Sequence, residues 1–236
     1  MKQTKRTQLM AMLMIITLAS SGCSAPKKPD TAPIPATSTL PAPSAAKGVK
    51  AKEIQDHLDK GVAYTKSAQW EKATDELNKV VALDPYHVTG HATLGWAYAE
   101  LKQWDDAVTH LKRAVELDPK NASAYGTLAW AYAEKQQWDL SLQASKKATS
   151  LDSKNAYAYS TMGWAYDATQ HPKEAFAAYA KALDINPNLA PAQLAVGQFY
   201  CKHGDHAEAR NAHRKLSQLD AAMATRLDDI IKKTCP

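Results

Sequence analysis

The chain has no glycine-rich phosphate loop, no serine on a nucleophile elbow and no histidine–carboxylate pair in a catalytic motif. Its eight histidines are scattered. These absences argue against an enzyme, and no cofactor is expected. Concentrated charge of one sign is also lacking. The formal charge is +5, but Lys2, Lys5 and Arg6 sit in an acid-free stretch over 1–22; without those three cations the 29 basic residues come close to the 24 acidic ones. Nucleic-acid binding calls for a concentrated basic face, so no nucleic-acid partner is expected. The apolar run from Leu9 to Ala19 is too short to cross a bilayer as a helix. Cysteine is scarce, with only Cys23, Cys201 and Cys235. Cys201, His203, His206 and His213 straddle an inter-helix turn and match no tight ligand spacing, so no metal is expected. Proline is sparse except in one stretch, where six of the twelve fall between Pro26 and Pro43.

What is present begins with an export pattern. Met1 to Gln8 is basic, Leu9 to Ala19 is apolar, and Ser20-Ser21-Gly22-Cys23 follows. This run resembles the lipobox of bacterial lipoproteins, although Ser20 stands where those proteins usually carry Leu. The resemblance implies a signal peptide over 1–22 and lipidation at Cys23, which would become the new N-terminus. The other reading is an ordinary signal cut near Ala25, which would release the protein. Ser24 follows the cysteine rather than Asp, which by the same resemblance favours the outer membrane, facing the periplasm. Residues 23–50, rich in proline and alanine, cannot build a core and read as a tether in polyproline II conformation.

The remainder, 51–236, is organised by a repeat. Leu94-Gly95-Trp96-Ala97-Tyr98-Ala99-Glu100 returns as Leu128-Ala129-Trp130-Ala131-Tyr132-Ala133-Glu134. It returns at the same interval, more loosely, from Met162-Gly163-Trp164-Ala165-Tyr166. A fixed period of this length is the signature of a stacked array. Apolar residues such as Leu94, Ala97, Tyr98 and Leu101 keep helical spacing. Gly95 is expected opposite Ala107, and Gly163 opposite Ala175, where paired helices touch. Asp84-Pro85, Asp118-Pro119 and Asn186-Pro187 end the second helices, and Asn121 and Asn155 are placed to cap the helices that follow. The units are 54–87, 88–121, 122–155, 156–189 and 190–221. A capping helix over 222–233 carries Met223, Leu227, Ile230 and Ile231 on one stripe.

Leu94, Gly95, Tyr98, Ala107, Leu111, Ala114 and Pro119 resemble the tetratricopeptide repeat, as do Met162, Gly163, Tyr166, Ala175, Tyr179, Ala182 and Pro187. The third unit departs at Ser141, Ser145 and Ser153, and the fifth at His213 and Ala221. The resemblance implies an all-α fold: a right-handed superhelical solenoid of five helix pairs plus the C-terminal cap. It implies a scaffold that binds a protein or peptide partner in a concave groove.

Within that frame the six tryptophans form two sets of three. Trp70, Trp104 and Trp138 stand where the family packs an aromatic between helices. Trp96, Trp130 and Trp164 stand where the family faces its groove, with Tyr157 extending the stripe and Glu100, Glu134 and Asp167 on or near the same face. Either the second set binds a segment by stacking and cation–π contact, or its rings pack on each other and only stiffen the array. The Lys and Asn with which some members clamp a C-terminal carboxylate are replaced here by Leu58, Val62, Ala92, Gly126 and Thr127. Cys201 and Cys235 stand one repeat period apart, at equivalent places. In an oxidising compartment they are either a disulfide pinning the cap or two thiols too distant to join.

The sequence therefore points to a lipid-anchored scaffold that helps to assemble an envelope multiprotein complex. Lipoproteins of this kind include pilotins of type IV pili and accessory factors of outer-membrane protein assembly. A periplasmic glycan or peptidoglycan binder is the alternative, because indoles also stack on sugar faces. An enzyme with an unrecognised site is the remotest reading.

Overall fold

A computed structural model describes residues 49–234. The signal segment, Cys23, the tether up to residue 48 and Cys235 lie outside the described residues, so the lipidation and disulfide readings are not addressed by them. The described residues form eleven α-helices and no strand. These are α1 (Val49–Lys66), α2 (Trp70–Leu83), α3 (Val88–Glu100), α4 (Trp104–Leu117), α5 (Ala122–Glu134), α6 (Trp138–Leu151), α7 (Ala156–Ala168), α8 (Pro172–Ile185), α9 (Ala190–Lys202), α10 (His206–Leu219) and α11 (Ala221–Thr234). Odd and even helices pair as hairpins, and the pairs stack in chain order as a solenoid. The first helix of each pair also meets the first helix of the next, whereas no two second helices touch. First helices therefore line the inner side of the array. Two residues expected in the tether, Val49 and Lys50, already belong to α1.

Each hairpin turn repeats one solution. Gln69, Gln103, Gln137, His171 and Asp205 donate their backbone N–H to the carbonyls of Tyr64, Tyr98, Tyr132, Tyr166 and Tyr200, each at 2.9 Å. This is the bond that closes a helix through a left-handed residue. Ala68, Lys102, Gln136 and Gln170 hold φ between 53° and 64°, and Gly204 holds 84°. Only the fifth turn uses the residue that tolerates this conformation freely. Turns between pairs are set by Asp84, Asp118, Asp152 and Asn186, whose side chains accept the backbone N–H two residues on. Asn121 and Asn155 cap α5 and α7 by accepting from Ala124 and Ala158. The His87 ring does the same for Gly90 at 3.0 Å, a cap that the sequence pattern does not announce.

The hairpins close through glycine, but not against the expected partners. A methyl group built on Gly95 would lie 2.6 Å from the Leu111 side chain rather than meet Ala107 first, and one on Gly163 would lie 2.6 Å from the Tyr179 ring rather than meet Ala175. Gly61 meets Leu77 in the same way. Side chains on a helix lean toward its N-terminus, so the large residue reaches back over the small one a turn before it. The third unit departs consistently: Ala129 replaces the glycine and Ser145 replaces the large residue. Both serines of this buried junction are satisfied, Ser141 Oγ donating to the Ala129 carbonyl at 2.9 Å and Ser145 Oγ to the Ser141 carbonyl at 2.8 Å. In the fifth unit the place expected for an aromatic carries His213, and it is Leu227 of the cap that approaches Gly197 instead. Leu227 is fully buried, with Ala224 and Ile231 beside it, so α11 closes the array.

A histidine pair joins the two helices of the second unit and ties them to the turn before it. His91 Nε2 lies 3.1 Å from the Pro85 carbonyl, and His91 Nδ1 lies 3.0 Å from His110 Nδ1. A carbonyl only accepts, so His91 carries its proton on Nε2, and His110 donates from Nδ1 to the bare Nδ1 of His91. A second proton on His91 would set two N–H groups against each other unless His110 moved its own proton to Nε2. Burial, foremost, lowers the pKa of both rings; at His91 the bond to the Pro85 carbonyl opposes it, Arg113 and His87 add to it and Asp84 opposes it, while at His110 the neighbouring His91 adds to it and Asp106 opposes it. At the equivalent place in the fifth unit Gln193 donates to the Pro187 carbonyl at 3.0 Å, so an amide can do the work of the ring. The sign follows from linkage. The folded state binds fewer protons than the unfolded chain, so the contribution is complete above the unfolded value of about 6.5 and is lost as pH falls from there toward the lower folded values. Urea midpoints are expected to fall between pH 7.5 and 5.5, and to fall less in the His91→Gln, His110→Gln double variant. Equal slopes for the two proteins would remove the pair from this account.

Candidate interaction surface

A first helix here has only one open face. Its own second helix, the preceding second helix and the two neighbouring first helices cover the others. Residues that stay accessible recur two turns apart, which puts them on one stripe: Thr89 and Trp96 on α3, Ser123 and Trp130 on α5, Tyr157 and Trp164 on α7. Trp96 is 38% exposed and Tyr157 63%, while Trp130 and Trp164 are half-buried. The stripe ends on both sides, because Val62 and Gln198 occupy the tryptophan place in the first and fifth units.

The two tryptophan sets are not independent. Trp70 packs against Trp96, Trp104 against Trp130 and Trp138 against Trp164, with ring centroids 5.3, 5.3 and 5.6 Å apart and planes 67° to 75° from parallel. This is the edge-to-face geometry that the ring quadrupole favours. Each pair joins the second helix of one unit to the first helix of the next. The inner indoles therefore do not stack on one another along the array; each is steadied by a ring of the preceding unit. The repeat period carries this pairing in principle, since Trp70 to Trp96, Trp104 to Trp130 and Trp138 to Trp164 are equal steps along the chain. A spacing alone does not show which way two rings turn.

Acids accompany the rings. Trp96 Nε1 donates to Glu100 at 3.0 Å and Trp130 Nε1 to Glu134 at 3.3 Å, across one turn of helix. Each bond holds one carboxylate oxygen and leaves the other open. The pattern stops at Trp164, where Ala168 stands four residues on. Asp167 is engaged by the next unit, accepting from Lys202 Nζ at 2.8 Å with His203 Nε2 at 3.4 Å. The helices α3, α5 and α7 carry no Lys or Arg, and their charged residues are Glu100, Glu134 and Asp167. Lys112, Arg113, Lys146, Lys147, Lys173 and Lys181 lie on the second helices of the same units. The second helices also carry Asp105, Asp106, Glu116, Asp139, Glu174 and Asp184, so they are mixed in charge, whereas the first helices of these units are aromatic and carry acids alone. Cys201 is buried in the core of the last unit. Among the described residues no group of three or more His, Cys, Asp or Glu side chains could hold a metal ion, and no helix is long and apolar enough to cross a membrane.

Comparison with known proteins agrees with this architecture. Residues 95–136 match the family described as TPR repeat, and residues 156–189 match the family described as tetratricopeptide repeat. Over these two segments the chain carries tetratricopeptide repeats. Among solved structures it is similar to TTC0263, a thermophilic TPR protein of Thermus thermophilus, at 18% identity over 75% of this chain and 98% of that one, with a TM-score of 0.66. It is similar to MamA at 26% identity over 74% of this chain and 96% of that one, with a TM-score of 0.57. It is also similar to PilF of Pseudomonas aeruginosa at 17% identity over 78% of this chain and 92% of that one, with a TM-score of 0.61. No curated protein matches the chain. Tetratricopeptide-repeat proteins bind protein partners, and the fold is that of an interaction scaffold.

The ring pairs should carry energy as well as shape. In a double-mutant cycle of Trp104→Ala and Trp130→Ala, unfolding in urea is expected to give a coupling of about 0.5–1.5 kcal/mol. Additive losses would mean that the two rings stabilise the fold separately.

Proposed function

We infer that this protein is a lipid-anchored envelope scaffold whose inner face docks a polypeptide segment of a partner and so helps to assemble or position a multiprotein complex. The observation that carries the reading is the row of inner tryptophans, one per unit over three units, each backed by a second ring and two of them flanked by a carboxylate. A solvent-facing row of large rings is a costly way to stiffen an array, because each buried indole would stabilise more. A polypeptide is preferred to a glycan because tetratricopeptide-repeat proteins bind protein partners. Lipidation at Cys23 would hold the array at the membrane, with the proline-rich tether setting its distance; the outer membrane, facing the periplasm, is the favoured side.

A photoreactive residue at position 130 tests the docking, and one at position 147, on the outer side, is the control. Crosslinking in cells followed by mass spectrometry should yield a discrete protein adduct from 130 and not from 147. Adducts from both positions alike, or from neither, would defeat the reading. The anchor is read in the same cells. Cys23→Ser should move the chain from the membrane to the soluble fraction, and an unchanged distribution would count against lipidation.

A further inference from the structure

The contact between consecutive first helices bounds the spacing of the inner indoles, and with it the shape of a ligand that seats on all three. Neighbouring packed helices lie about 8–10 Å apart, and consecutive first helices are in contact, so the Trp96, Trp130 and Trp164 indoles recur at about that interval. A bound chain that seats equivalent residues on all three must present the same face at the same interval. A β-strand turns the same face outward every second residue, at about 6.7 Å, and at three residues it presents the opposite face. An α-helix repeats its face at about seven residues, or about 10.5 Å, at the upper edge of the range. A polyproline II helix repeats its face every three residues, at about 9.3 Å, inside the range.

The hydrogen-bonding character of the face points the same way. Docking as an added strand needs a row of unpaired backbone groups, and helical backbone offers none along its length. Two of the three indole N–H groups are already given to Glu100 and Glu134. A polyproline II chain has its backbone solvated and asks for none of these partners. Charge adds the second requirement. Glu100 and Glu134 each keep an open oxygen beside a ring, α3, α5 and α7 hold no cation to compete for it, and the third acid, Asp167, is already held by Lys202.

We propose that the inner face selects a basic, proline-containing segment in polyproline II conformation, about seven residues from its first anchor to its last, with an apolar or proline residue on each of the three indoles and an Arg or Lys beside the first two. This rests on the reading of the inner face as a docking surface, and it adds a register of three residues per repeat unit. Two exposed ion pairs of this kind set the scale of the charge effect at about fivefold in affinity.

The test uses the purified full chain and three probes followed by tryptophan fluorescence and calorimetry. The first is a peptide of three Pro-Pro-Arg triplets. The second has the same composition with the arginines adjacent. The third is a hexamer of N-acetylglucosamine. The in-register peptide is expected to bind at least about fivefold more tightly than the clustered one, and to lose about fivefold in the Glu100→Gln, Glu134→Gln variant. These substitutions lie on the open face and leave the ring pairs intact, so a lost affinity is not a lost fold; circular dichroism checks this. Equal affinity for the two peptides, indifference to the two glutamates, or binding of the sugar alone would overturn the proposal. If the peptides fail while crosslinking from position 130 still captures a partner, the register falls and the docking surface stands. If both fail, the surface itself falls.

Discussion

The contact on which the structure depends is the one between a missing side chain and a large one. Where α3 crosses α4, Gly95 offers bare backbone and Leu111 fills the space; Gly61 with Leu77 and Gly163 with Tyr179 repeat the arrangement. Interiors are packed to the density of organic crystals, so a methyl group arriving 2.6 Å from the Leu111 side chain has nowhere to go. Either the Leu111 side chain or the helix that carries it would have to shift. The third unit shows that the rule concerns volume rather than glycine: Ala129 is larger, Ser145 is smaller, and the freed hydroxyls find carbonyls.

Everything further out follows from how closely the two helices of a pair approach. A tight hairpin lets the next pair stack so that first helices meet one another. That contact sets the interval between the inner indoles. The ring pairs then sit at the junction between units, where they gain packing from the second helix behind and leave part of the inner ring to solvent. The same geometry puts acids without cations on the helices that carry the inner rings, and leaves charges of both signs to the second helices of the central units. The fold is that of an interaction scaffold. It offers a surface whose spacing comes from its own core.

The fixed repeat period, the small residues at its set places and the Asp-Pro and Asn-Pro stops make the helix pairs legible without any coordinates. They are backbone and packing signals that act within one unit. Less is legible wherever the outcome depends on the direction of a side chain. Spacing alone misplaces the partner of Gly95 by one turn, because helical side chains lean toward the N-terminus and Leu111 therefore covers the level of Ala107. The pairing of the two tryptophan sets escapes it because that pairing depends on the rotation of one unit against the next, which a period does not state. The His87 cap and the His91–His110 relay escape it because histidine carries no strong positional preference; each becomes visible only when its ring nitrogens have neighbours.

The claim that hairpin closeness governs the rest is tested most directly by a cycle at Gly95 and Leu111. Gly95→Ala alone should lower stability by about 1–3 kcal/mol through overpacking. Leu111→Ala alone should lower it by about 2–5 kcal/mol through the cavity it leaves. In the double variant the added methyl should fall into that cavity, so the combined loss in urea unfolding should be smaller than the sum by about 0.5 kcal/mol or more. Strict additivity would mean that the two residues do not share the space assigned to them, and the hairpin would then be held together by something else.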